Sequence, residues 1–145
     1  MKNIKKLLCI VLALISVFAF NACGKNGTTE EFPPAEKLHL PTLFDDYYSN
    51  HLAADEKYIG NRYRVTTKFD NASEEYVVAG HYQYYPNNRH IDDEVWVDFN
   101  LKYIKNQRDA VLGFSEGDSI VFEGTLTRAD VYFYDLAFED VVFIK

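Results

Sequence analysis

Cysteine is nearly absent from this chain of 145 residues: Cys9 and Cys23 are the two. Both fall within the first 23 residues, so everything after them lacks a thiol for a disulfide, a zinc site or nucleophilic catalysis. A domain built from that remainder is held by its core alone. Basic residues are also scarce, 15 Lys and Arg against 22 Asp and Glu, for a formal charge of −7. An acidic surface is soluble and repels polyanions, which disfavours nucleic acid as a partner unless the basic groups cluster. The short catalytic signatures are missing too: there is no Gly-x-Ser-x-Gly elbow, no P-loop and no HExxH. A Ser/His/Asp triad assembles in space and is not legible in one sequence. The expectation is a chain that is not an enzyme and calls for no cofactor.

One long apolar run is present, and it stands at the start. Met1-Lys2-Asn3-Ile4-Lys5-Lys6 is basic, and Leu7 to Phe20 is apolar apart from Ser16. Phe20-Asn21-Ala22-Cys23 then places a small residue before a cysteine. A basic start, an apolar stretch and a small residue at the cut are the parts of a secretory signal. At about 14 residues the run is short of the roughly 20 that span a bilayer. The segment resembles the signal and lipobox of a bacterial lipoprotein. Ala22 and Cys23 fit that pattern, whereas Phe20 stands where Leu is usual. The resemblance implies that Cys23 becomes the first residue, carrying a diacylglyceryl thioether and an acylated amine, palmitate-like chains that anchor the protein in the cell membrane on its extracytoplasmic side. Each buried methylene contributes about 0.8 kcal/mol, and two or more chains give stable attachment where one does not. Loss of residues 1–22 takes Lys2, Lys5 and Lys6 away and leaves a mature charge of about −10.

Residues 23–40 read as a lipid-anchored flexible linker, small and polar from Gly24 to Glu31 and then Pro33-Pro34. The globular domain is expected over 41–145. Pro41 to about Asp55 reads as one helix, with Leu43, Phe44, Tyr47, Tyr48, His51 and Leu52 recurring at three- and four-residue spacings. Its Phe44/Tyr48/Leu52 face would cover one end of a barrel. Arg62–Phe69 alternates as a first strand, with Tyr63, Val65 and Phe69 on one face and Arg62, Arg64 and Lys68 as a basic row on the other. Asp70–Ser73 is turn chemistry. Tyr76–Tyr85 is a second strand, whose central Gly80 suggests a bulge or bend. Glu94–Leu101 is a third strand, Lys102 to about Leu112 a short helix, Ser119–Thr127 a fourth strand and Val131–Ile144 a fifth, with a turn or bulge within Asp135–Asp140.

This order predicts a mainly β fold: a five-stranded OB-fold barrel with an N-terminal helix and a short helix between strands 3 and 4. The alternative is an open antiparallel sheet with the helix on one face. Two segments carry a family resemblance. Asn50 to Val65, ending in Tyr58-Ile59-Gly60-Asn61-Arg62-Tyr63-Arg64-Val65, resembles the helix-to-first-strand passage of the tRNA_anti-like OB-fold family. Val111-Leu112-Gly113-Phe114-Ser115-Glu116-Gly117-Asp118-Ser119-Ile120-Val121-Phe122-Glu123-Gly124 is similar to that family's lead into its fourth strand. The resemblance covers about residues 42–145. It implies a barrel, often on a lipoprotein, and supplies no catalytic residues; fold alone does not fix function.

The candidate sites follow from that fold. The face of the second and third strands is where OB-folds commonly hold oligonucleotides or oligosaccharides, and exposed aromatic rings there stack on bases or sugars. Tyr82, Tyr84 and Trp96 are the expected ligand-binding residues, with Trp96 the ring best placed to face solvent because Val95 and Val97 should face inward. Tyr132 and Tyr134, out of phase with Phe133, belong to the same aromatic surface. The competing reading is that these rings fill the barrel or cover its ends. His90 beside Asp92, Asp93 and Glu94 has the residue types of a metal site, but a solvated loop is the simpler account. The basic row is more simply explained by cross-strand carboxylates than by phosphates. The sequence therefore points to a binding module at the cell envelope for a glycan, small molecule or peptide. A protein-interaction adaptor is the alternative, and nucleic-acid binding the weakest reading.

Overall fold

The computed structural model describes residues 32–84 and 94–144, with the side chains of all of these except residues 82–84 and 94. In chain order the elements are β1 (Glu36–Lys37), α1 (Leu40–Ser49), α2 (His51–Tyr58), β2 (Arg62–Ala72), β3 (Tyr76–Tyr84) and β4 (Glu94–Tyr103). A 3-10 turn over Lys105–Gln107 then leads into α3 (Arg108–Val111), followed by β5 (Ser119–Asp130) and β6 (Asp135–Ile144).

β2 pairs antiparallel with β3 and with β5, and β3 pairs antiparallel with β4. β4 runs parallel to β6, and β6 returns antiparallel to β5. The pairings close on themselves through β2, so β2-β3-β4-β6-β5 is a closed five-stranded barrel, the OB-fold expected from the strand order. Closure leaves these five strands without a long open edge.

Alternation builds the interior. In β2, Tyr63, Val65, Thr67 and Phe69 are buried while Arg64, Thr66 and Lys68 are exposed. Phe99, Phe122 and Phe138 meet at the centre, all essentially solvent-free, with the Phe122 and Phe138 rings edge-on at 5.1 Å. Each such ring contributes about 1.5–3 kcal/mol by leaving water. The β5–β6 register shifts between Glu123 and Thr125. There a Cβ on Gly124 would fall 2.8 Å from Val141 Cγ2, so only glycine lets the two strands approach at this corner.

The structure departs from the sequence reading at several points. The single helix is two, because Asn50 is extended (φ −161°) and serves both ends: its N–H donates to Asp46 O, and its side chain accepts from Ala53 N–H at 3.2 Å. An extended Asn that caps the next helix is favoured over one that continues the first. The break turns Leu52 away, and it is 72 % exposed rather than packed with Phe44 and Tyr48. Part of the segment read as linker is packed: β1 runs parallel to β2, and Leu38 and Leu40 are buried. Gly80 marks no bulge against β4, since the β3–β4 register is continuous from Tyr76–Lys102 to Tyr84–Glu94. Arg62 leaves the expected basic row and is buried, donating from Nη1 to Asp140 O at 3.0 Å and from Nη2 to Glu123 O at 3.3 Å. Finally, Val131–Tyr134 is a turn, and the last strand starts at Asp135.

Candidate ligand-binding face

β3 and β4 send alternate residues outward. In β4, Val95, Val97, Phe99 and Leu101 are buried, which leaves Trp96, Asp98, Asn100 and Lys102 on the outer surface. Trp96 is 41 % exposed, as its phase predicts. Its indole covers Gly80 of the neighbouring strand: a Cβ at position 80 would sit 2.5 Å from Trp96 Cζ2. The glycine thus provides the floor of the site, an aromatic ring covering a strand glycine from the next strand. Trp96 Nε1 donates to Asp98 Oδ1 at 2.6 Å, which fixes the ring's rotation.

A polar row continues from the ring. Asn100 Nδ2 donates to Asp135 Oδ1 on β6 at 2.7 Å, and Arg128 Nη2 on β5 reaches Asp135 Oδ2 at 2.7 Å. Lys102 faces Glu139 at 3.5 Å. These links cross three strands and hold the outer side chains in place. Three carboxylates against two cations give the row an acidic balance.

The β5–β6 turn borders the same row. Asp130 Oδ1 accepts from the N–H groups of Tyr132 and Phe133, both at 3.3 Å, an Asx turn. Asp98 N–H donates to Tyr134 O at 2.8 Å, tying the turn to the strand that carries Trp96. Tyr132 and Phe133 are 72 % and 78 % exposed, while Tyr134 turns back edge-on to Phe44 at 5.6 Å. Phe133 was missed as a surface ring because strand alternation assigns it inward. The signal was Asp130 followed by a run without alternation.

Tyr82 pairs with Trp96 and Tyr84 with Glu94 in the β3–β4 register, so their backbones flank the site, while their side chains lie outside the described residues. Cys23 and the His90, Asp92 and Asp93 group lie outside the described residues as well. Among the described residues no group of His, Cys, Asp and Glu converges as a metal site, and no helix is long and apolar enough to cross a membrane. Of the expected basic row, Arg64 is paired with Glu123 across the strands.

No family model matches the chain, and no curated protein matches it. Among solved structures it is similar to a lipoprotein of Klebsiella pneumoniae subsp. pneumoniae to which nucleic-acid binding has been ascribed. That match has 12 % identity and a TM-score of 0.49 over 77 % of this chain and 92 % of that one. It is also similar to the Plasmodium falciparum SSB in complex with ssDNA, with 11 % identity and a TM-score of 0.32 over 59 % of this chain and 95 % of that one. At such identities likeness bears on fold alone. The OB-fold of this chain rests on its own closed strand pairings, and the tRNA_anti-like likeness rests on its motif residues.

Proposed function

We propose that this chain is a lipid-anchored, extracytoplasmic binding module without catalytic chemistry, and that its β3–β4 face holds a glycan of the cell envelope. The observation that carries this reading is the indole of Trp96, packed against Gly80, half-exposed and beside a fixed row of carboxylate and amide groups. A flat apolar ring with polar groups at its edge suits a pyranose, which has an apolar face and a rim of hydroxyls. Acceptors such as Asp98 and Asp135 take hydrogen bonds from hydroxyls and repel phosphates, so a neutral sugar is favoured over nucleic acid. Cys23 supplies the attachment in this reading, and Tyr82 and Tyr84 extend the stacking surface.

The chain has one tryptophan, so its fluorescence reports on this site alone. Titration with cell-wall glycan fragments is expected to shift Trp96 emission saturably and to move amides of β3 and β4. Trp96→Ala is expected to abolish those amide shifts while the barrel stays folded. Glycan fragments that leave Trp96 and both strands unmoved would remove the ligand reading. For the anchor, Cys23→Ser is expected to release the chain from the membrane fraction, and retention would refute lipidation there.

An adaptor role is favoured by a different observation: Leu52, Tyr132 and Phe133 are each more than 70 % exposed, and the His51 and Tyr132 rings stack at 6.4 Å. Clustered apolar exposure of this kind is a feature of protein-contact surfaces. Cross-linking from a photoreactive group at position 52 to an envelope protein, lost in Phe133→Ser, is the outcome expected of that role.

A further inference from the structure

We propose that the slot between β1 and β3, above the middle of β2, binds a compact oxyanion, a phosphate or carboxylate group carried on a small molecule. β3 pairs with β2 only along Lys68–Ala72, and β1 pairs only at Tyr63 and Arg64. Leu38 N–H donates to Arg64 O, so even-numbered residues of β2 turn their peptide groups to this side. Phe69 N–H and O meet Asp118 and Gly117, so odd-numbered ones turn to β5. Thr66 therefore aims its N–H into the gap and pairs with neither β1 nor β3.

The gap is a cavity of about 640 Å³ lined by Lys37, His39, Arg64, Thr66 and His81, with Leu40 and Pro41 in its wall. No carboxylate lines it. That is unusual here: other clefts of this acidic molecule carry Glu36 or Glu74 and Glu75. Arg64 is balanced by Glu123, but Lys37 meets no carboxylate among the described residues, so the lining keeps a net positive charge. His81 stacks on the buried Phe99 ring at 5.7 Å, which fixes its position at the barrel mouth. A cation, a hydroxyl and a peptide N–H turned towards one space are donors of the kind that charge-assisted oxyanion binding uses, and the His39 and His81 rings line the same space. The volume suits a small organic anion. This site is separate from the β3–β4 face, and Trp96 plays no part in it.

The test uses the full chain at low ionic strength, titrated with inorganic phosphate and with citrate, reading the Thr66 amide and the His81 ring by NMR. Saturable shifts with either probe are expected, absent with matched sodium chloride. Lys37→Glu is expected to weaken them about tenfold, the scale of one lost charge-assisted hydrogen bond, while Lys105→Glu, outside the cavity, leaves them unchanged. Lys37 is exposed, so its replacement leaves the barrel intact. The proposal is overturned if neither probe saturates, if Lys37→Glu shifts as wild type does, or if only a single-stranded oligonucleotide moves these signals.

Discussion

Trp96 and Gly80 depend on each other. A side chain at position 80 must either displace the indole or stay out of β3, because the space it needs is already filled by the ring. Gly80→Val is expected to lift Trp96 into solvent, shift its emission to the red and lower stability by about 1–3 kcal/mol, as overpacking does. Trp96→Ala should cost less, since it vacates an outer face rather than the core. Unchanged emission in Gly80→Val would show that the ring does not rest there. Arg62 is the opposite kind of residue, a guanidinium held in the wall of the barrel, whose pKa burial pulls below its ordinary value. It satisfies carbonyls at Asp140, a left-handed residue (φ 52°), and at Glu123 beside the Gly124 bulge. Arg62→Met leaves those carbonyls short of a donor and is expected to lower the urea-derived stability by about 1–3 kcal/mol.

The α1–α2 pair is a polar-edged element joined by tyrosines. Tyr47 donates to Asp55 at 2.8 Å, and Tyr58 donates to Asp46 at 2.7 Å, where Lys57 also binds. Burial first, and the Asp55 carboxylate second, push the Tyr47 phenol well above its ordinary pKa; burial raises Tyr48 to about 12. Tyr58 and Tyr63 are also raised, by burial first. A raised phenol pKa means that the folded state prefers the neutral form. Its contribution is complete below the unfolded value of about 10 and is lost as pH climbs through the folded value. The Tyr47 and Tyr58 ring resonances are therefore expected to shift late and together with loss of helix signal in an alkaline NMR titration, and early, independent shifts of these two rings would contradict this. Asp46 runs the other way. Hydrogen bonds from Lys57 and then Tyr58 lower its pKa, so its contribution is present above about pH 4 and lost as pH falls through the lowered value. The stability gap between wild type and Asp46→Asn is expected to be open at neutral pH and to close in acid, as read from urea midpoints.

At the scale of the molecule, the barrel and the segment before α1 share one core. Leu38 and Leu40 are buried and β1 lies on β2, although composition alone marks this stretch as tether. A chain beginning at Pro41 is expected to be less stable than one beginning at Pro33 by about 3–6 kcal/mol, from two buried leucines. Equal thermal midpoints would place both leucines outside the energetic core. The acidic balance acts at this scale as well: it disfavours polyanions over the whole surface and makes the carboxylate-free slot beside Lys37 the exception.

The order of strands, the short helix before the fourth and the outward phase of Trp96 were legible along the chain, because alternation and turn residues are local properties and the barrel obeys them. The Asn50 break was written in the sequence too, as a capping residue inside an apolar period, and the stronger period hid it. Other features had no local signature. Arg62 is buried because two carbonyls 61 and 78 residues away converge on it. Gly80 is a seat for an indole because closure of the β3–β4 register brings position 96 beside it. Phe133 faces solvent because the Asp130 turn ties to Asp98 on another strand. The sequence by itself determined which residues form strands and which faces they bury. Only the tertiary structure decided which of those faces meet, since contacts between distant residues depend on strand order, register and barrel closure, and no short-range pattern encodes them.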